Sequence, residues 1–151
     1  MALPDGFENL EWYGKGPGEN YIDRQAGSYV SRFAGTVSDE YVPYILPQEH
    51  GNKTGVRWLA IGNDEVAVRF ECLPGDSGWM EASASHFTPQ DLYAWKHTYD
   101  VEPRPETWVN LDVQQRGLGT ASCGPDTLDC YRIGPGEYQL DFVIRVCWDA
   151  D

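Results

Sequence analysis

Basic residues are scarce in this chain and nowhere clustered. The 11 Lys and Arg stand singly among 24 Asp and Glu, giving a net charge of −13 over 151 residues. Neutralising phosphates requires Lys and Arg gathered on one face so that counterions are released. Nucleic acid and anionic membrane are therefore excluded as partners, whereas a neutral ligand such as a sugar is not repelled. No apolar run approaches the roughly 20 residues of a membrane span, and no signal peptide opens the chain. The four cysteines (Cys72, Cys123, Cys130, Cys147) form no C-x-x-C pair and have no His at zinc-like spacing. Reduced thiols in a cytoplasmic protein are the expectation. His50, His86 and His97 lie on unrelated segments and G-x-S-x-G is missing, so no Ser or Cys nucleophile has a partnered base. Phosphate-binding glycine spacing, internal repeats and linker-like stretches are also missing. Residues 1–151 read as one domain.

Acidic residues are plentiful, which invites an acid/base reading. A retaining glycosidase needs two carboxyl groups about 5–5.5 Å apart, one with a raised pKa. Glu19, Asp23, Glu49 and Asp112 are the candidates by composition. Nothing in their spacing makes any two converge, and solvated surface positions are the ordinary fate of such residues. The chain is not expected to be catalytic by itself.

What the sequence does hold is aromatic and turn-rich: six Trp, nine Tyr, 16 Gly and 10 Pro. Flat and branched side chains suit a pleated surface, and frequent Gly and Pro mark turns. Strands are predicted at residues 7–13, 28–33, 41–46, 54–61, 66–72, 79–86, 107–113 and 137–146, with a weaker one at 130–133. Gly62-Asn63-Asp64 reads as a hairpin turn, and Gly14-Lys15-Gly16-Pro17-Gly18-Glu19-Asn20 as a loop that no strand continues. Thr88-Pro89-Gln90-Asp91 has the pattern of a capping box, predicting one short helix to residue 94 or 95. The expected fold is all-β, an antiparallel β-sandwich with one short helix.

Trp12, Tyr13, Tyr21, Trp79, Trp95 and Trp108 could present faces to a sugar or a protein, or simply pack the core. Trp108, inside an alternating strand, reads as core. Tyr13 and Tyr21 flank the Gly/Pro loop and read as exposed.

Three segments carry a family resemblance. Glu11-Trp12-Tyr13-Gly14-Lys15-Gly16-Pro17-Gly18-Glu19-Asn20-Tyr21-Ile22-Asp23-Arg24 is similar to the W-[YF]-G-[RK]-G-P-x-E-N-Y-x-D-R signature of family 2 β-galactosidases. Tyr41-Val42-Pro43-Tyr44-Ile45-Leu46-Pro47-Gln48-Glu49-His50-Gly51-Asn52 resembles the Y-x-x-P-Q-E-x-G-N segment, followed by Arg57-Trp58-Leu59. Gly117-Leu118-Gly119-Thr120-Ala121-Ser122-Cys123-Gly124-Pro125-Asp126 resembles G-x-G-T-x-S-C-G-P. Three matches in order over more than a hundred residues are far more specific than any one.

The resemblance implies the C-terminal portion of the last domain of these enzymes, a galactose-mutarotase-like β super-sandwich beside a catalytic (β/α)₈ barrel. It implies magnesium and often sodium in the parent enzyme, with no cofactor expected in this chain. The implied partners are the rest of the polypeptide, or a large subunit, and a galactoside substrate. By resemblance Cys123, with Gly124 as its neighbour in alignment, stands near where some members carry a Trp platform for the acceptor sugar. Tyr13, Glu19, Asn20, Tyr21, Asp23 and Arg24 belong to a loop expected to dock between domains, Asp23 and Arg24 fixing neighbouring loops by charge-assisted bonds. Sodium in some relatives sits on main-chain oxygens matching Leu46, Pro47, Leu92 and Trp95, although Trp95 replaces a small polar residue. A freestanding carbohydrate-binding module is the alternative reading.

Overall fold

A computed structural model describes residues 1–75, 78–119 and 123–148, with Trp148 as backbone only. In chain order the strands are β1 (Ala2–Leu3), β2 (Asn9–Gly16), β3 (Tyr29–Thr36), β4 (Lys53–Val56), β5 (Trp58–Gly62), β6 (Val66–Leu73), β7 (Met80–Ser85), β8 (Thr107–Asp112) and β9 (Asp141–Trp148), with helix α1 (Pro89–Ala94) between β7 and β8. They form two antiparallel sheets, ordered β1-β8-β7-β4 and β3-β2-β5-β6-β9. The expected sandwich is the observed fold.

Side-chain alternation explains the layers. In β2, Leu10 and Trp12 are each 2% exposed, whereas Glu11 and Tyr13 face out. Their cross-strand partners Ile61 and Leu59 are sealed as well, and Leu59 pairs with Phe70. Val56, Met80, Ala82 and Val109 answer from the smaller sheet. Each fully buried large side chain contributes roughly 1.5–3 kcal/mol to this core. Lys53 is buried in the same layer with its charge answered by the Glu40 carboxylate, and its ammonium lies 5.0 Å from the Trp12 ring centre.

Several expectations need correction. The first glycines of the predicted loop belong to β2, where Gly14 pairs with Ser31 and Gly16 with Tyr29. They are glycines because a Cβ at Gly14 would lie 3.0 Å from the Val56 backbone, and one at Gly16 2.8 Å from the Phe33 ring. The loop begins only at Pro17. Residues 41–46 form no strand: Pro43 and Pro47 cannot donate to a ladder, and the segment is held by side chains, with Tyr41 packed on His50 and Phe87. Residues 130–133 lie at a 3₁₀ turn, Asp129–Tyr131.

The predicted strand at 54–61 is two strands in different sheets. Gly55, at φ +62°, and Arg57 form the crossing, and the Arg57 N–H reaches the Tyr13 carbonyl at 2.7 Å. The chain therefore passes from β4 to β5 through a bend of one residue, Arg57. Between β5 and β6, the Asn63 side chain accepts from the N–H groups of Glu65 and Val66, as the hairpin reading required. The capping box is present: Thr88 accepts from the Asp91 N–H and Asp91 from the Thr88 N–H. Strand β1, two residues long, was too short to read from the sequence.

β9 forms one edge of the larger sheet. Its Phe142, Ile144 and Val146 pair with Cys72, Phe70 and Val68, so they point toward the core side. Yet they remain 38%, 47% and 54% exposed, while Phe70 is fully buried.

Candidate functional site

The three motif segments, distant in sequence, meet in one loop cluster. Asn20 is its centre. Fully buried, its carbonyl oxygen Oδ1 accepts from the Thr54 N–H at 2.9 Å and from the Thr54 hydroxyl, while Nδ2 donates to the carbonyls of Lys15 and Gly18. Its backbone N–H donates to the Asn52 carbonyl, and Asn52 Nδ2 returns a bond to the Asn20 carbonyl. Thus the first motif is sewn to the second. Asn20 does not bond its own backbone amide in an Asx turn; it satisfies the buried ends of other segments instead.

Asp23 ties in the third motif. Its carboxylate accepts from the N–H groups of Leu118 at 3.0 Å and Gly119 at 2.8 Å. Gly119 has φ +62°, and a Cβ there would lie 2.5 Å from Thr127 Oγ1, which explains the residue type. Thr120, Ala121 and Ser122 of that motif lie outside the described residues. Cys123 and Gly124, just beyond them, are exposed. Arg24 serves a different neighbour, donating to Glu19 at 2.8 Å and to the Tyr44 hydroxyl at 3.0 Å.

The carboxylates fall into distinct environments. Burial alone pushes Glu19 up, but the Tyr44 hydroxyl, the Gly51 N–H and Arg24 outweigh it and hold the carboxyl below its ordinary range. Glu19 is thereby a fixed anion, unsuited to donating a proton. Glu49 and Asp112 do approach each other, both accepting from Gln115 Nε2, at 2.8 and 3.0 Å. The residue that sequence reasoning missed is Glu81. It is 6% exposed, accepts from Asn52 Nδ2 at 2.7 Å, and is raised chiefly by burial, with Asp112 adding to the rise. Its hydrogen bonds point inward to the motif cluster, so it braces Asn52.

The aromatic expectations divide. Trp12 and Tyr21, at 2% and 3% exposure, are core, so Tyr21 is not the exposed residue that its loop position suggested. Tyr21 is covered because the loop folds back: its N–H and carbonyl both bond Arg24. Burial pushes the Tyr21 hydroxyl strongly upward in pKa. Tyr13 is exposed, as expected, and Trp79 is too, but the Arg57 guanidinium lies 5.4 Å and 4.7 Å from their ring centres. Trp108 is half-buried, and Trp95 is half-buried edge-on to Phe87.

Among the described residues no group of three or more His, Cys, Asp or Glu is arranged to hold a metal ion. Main-chain oxygens are a separate case. The Lys96 N–H, which would continue the ladder to the Leu92 carbonyl, donates to the Asp100 carboxylate instead. The helix therefore ends without using that oxygen, and the Tyr41 and Trp95 rings both pack on Phe87. Such hard oxygen donors suit sodium. Tyr41, His50 and Phe87 wall a cavity of about 210 Å³, lined also by Val37, His86 and Val101. It is smaller than the roughly 300–1,000 Å³ of ordinary ligand pockets.

No helix among the described residues is long and apolar enough to cross a membrane. The four cysteines are unpaired.

Comparison with known proteins agrees with the motif geometry. A beta-galactosidase of Priestia megaterium is 38% identical over 120 residues, covering 79% of this chain and 11% of that protein. One from Halalkalibacterium halodurans is 34% identical over 147 residues, covering 97% and 14%, and one from Kluyveromyces lactis is 31% identical over 143 residues, covering 93% and 13%. The chain spans 11–14% of the length of these relatives. The family model described as "Beta galactosidase small chain" matches residues 1–144, and with all three motif segments inside that match the chain belongs to this family.

Proposed function

We propose that the chain is the noncatalytic terminal part of a β-galactosidase of glycoside hydrolase family 2. In this reading it packs on the catalytic barrel and shapes the active-site mouth for terminal β-galactosides such as lactose. The observation that carries the proposal is the bond pair from Asp23 to Leu118 and Gly119. It anchors the start of the loop bearing Cys123 to the rigid knot at Asn20. Cys123 and Gly124, beyond that anchor, are exposed to a neighbour.

The residues assigned to contact the acceptor sugar are Cys123 and Gly124. The 13–24 segment, whose exposed members include Tyr13 and Arg24, docks between domains. The catalytic glutamates and magnesium belong to the rest of the enzyme. Sodium would sit on main-chain oxygens of Leu46, Pro47, Leu92 and Trp95, where it would neutralise carbonyl dipoles and stiffen the loop. Four free thiols support a reducing, cytoplasmic setting.

The isolated chain should leave a chromogenic galactoside intact, and a barrel-containing fragment added to it should hydrolyse that substrate. Turnover by the chain alone, lost on changing one of its own carboxylates, would refute the proposal. In the intact enzyme Cys123→Trp should tighten acceptor inhibition, since an indole buries more apolar surface than a thiol at about 25 cal/mol per Å². Unchanged inhibition would remove Cys123 from the acceptor site. A freestanding carbohydrate-binding module predicts direct galactose binding by the isolated chain, which calorimetric titration measures.

A further inference from the structure

The outer face of the larger sheet gathers charges that stand far apart in sequence. The strand registers bring Ala34, Glu11, Ala60, Arg69 and Arg145 into one row across β3, β2, β5, β6 and β9. Two residues along in one direction the next row holds Arg32 and Trp58; in the other it holds Asn9, Gly62 and Ala67. Alternation places all three rows opposite the core side chains Leu10, Trp12 and Leu59. Arg32 is answered by Glu11 and Arg145 by Glu71, each at 3.2 Å. Arg69 is answered by no carboxylate. It stands directly across from Arg145, and like charges so placed are destabilising. Among the described residues it forms no ion pair and donates no side-chain hydrogen bond, and its Nε is buried without a partner. Its guanidinium lies 4.2 Å from the Trp58 ring centre, which holds the fork in place.

Arg69 borders a groove of about 760 Å³, within the roughly 300–1,000 Å³ of ordinary ligand sites. Small side chains leave the space open: Ala34, Ala60 and Ala67 line it where larger residues would fill it. Past Ala67 the groove reaches the β5–β6 turn, with Asn63, Asp64 and Glu65. An unanswered cation thus stands toward one end and two carboxylates at the other. We propose that this groove binds a sugar acid, a polyhydroxylated ring carrying one carboxylate. The carboxylate takes the Arg69 fork and supplies the counter-charge that the row lacks. The ring lies on the alanine floor, and its hydroxyls donate to Asp64 and Glu65, which turn the anionic end away from themselves. A polyanion is repelled by a chain of net charge −13, whereas a single carboxylate meets the one Arg left unpaired in the groove. The site lies wholly within this chain, on a face whose alternation is that of a solvent face and not of a core.

Titration of the whole chain with galacturonic acid tests the site, with galactose as the same ring lacking the carboxylate and acetate as the carboxylate lacking the ring. Galacturonic acid should bind, shift the backbone amide resonances of Ala60 and Ala67, and bind more weakly as salt is added. Galactose and acetate should each bind roughly tenfold more weakly or worse. Arg69→Gln should weaken galacturonic acid roughly tenfold or more. That variant should melt near the wild-type temperature, because relief of the Arg145 repulsion offsets the lost contact with Trp58. Ala60→Leu, which fills the floor and alters no charge, should weaken binding to a similar degree. Undiminished binding by both variants would overturn the site. Galactose binding as tightly as galacturonic acid would overturn the role of Arg69, and acetate doing so would overturn the sugar. No binding of galacturonic acid by the wild-type chain would overturn the proposal outright.

Discussion

Asn20 satisfies more buried groups than any other side chain in the motif cluster, and the cost of losing it follows directly. Asn20→Ala would strand the buried Thr54 N–H and hydroxyl, while the Lys15 carbonyl keeps its bond from Trp12 Nε1 and that of exposed Gly18 turns to water. A buried group left unpaired costs about 1–3 kcal/mol, so the variant should lose roughly 3 kcal/mol or more, measured by urea denaturation. Asp23→Ala removes a carboxylate that receives two N–H groups from a loop nearly a hundred residues away. It should cost about 1–3 kcal/mol and speed amide exchange at Leu118 and Gly119 while leaving β2 protected. Two carboxyls give opposite pH dependence. Burial raises Glu81 above its ordinary value of 4.5, so the folded state keeps a proton that the unfolded chain has released. That contribution is full below the ordinary value and declines as pH climbs through the raised one. Glu81→Gln should therefore flatten the decline of the urea midpoint above about pH 4.5. For Glu19 burial opposes ionisation but the hydrogen bonds prevail, lowering the pKa; its stabilisation is present above the ordinary value and is lost as pH falls through the lowered one. Glu19→Gln should flatten the acid side instead.

At the scale of elements, the sequence was most legible where local chemistry decides structure. The capping box at Thr88 and Asp91 and the Asn63 turn depend on neighbours a few residues away, and both formed as read. Thr88→Ala should cost about 1 kcal/mol, visible as a lower melting temperature. Long-range packing was legible only in part. The glycines at 14 and 16 look like loop residues because the contacts that require them, Val56 and Phe33, are far along the chain. Gly16→Ala should destabilise by about 1–3 kcal/mol through overlap with the Phe33 ring. Glu81 shows the same limit. It alternates with Met80 and Ala82 as an outward residue should, yet β7 is buried on both faces because the motif loops cover its second side.

On the scale of the molecule, the motif pattern identified the family before any geometry was available, since residues such as Asn20 and Asp23 are chosen by contacts that the whole loop cluster shares. The sandwich was legible from turn spacing and aromatic content. The division of strands between the sheets was not: residues 54–61 read as one strand, and only the turn at Gly55 and Arg57 sends its halves to different layers. That shared run has a mechanical consequence. A tear opening between the layers would have to stretch a single covalent thread stitched into both, dragging Tyr13 from one side and Met80 from the other as it went. Heating should consequently melt both layers together, with far-ultraviolet circular dichroism and tryptophan fluorescence tracing one coincident curve, and no half-molecule should survive on its own.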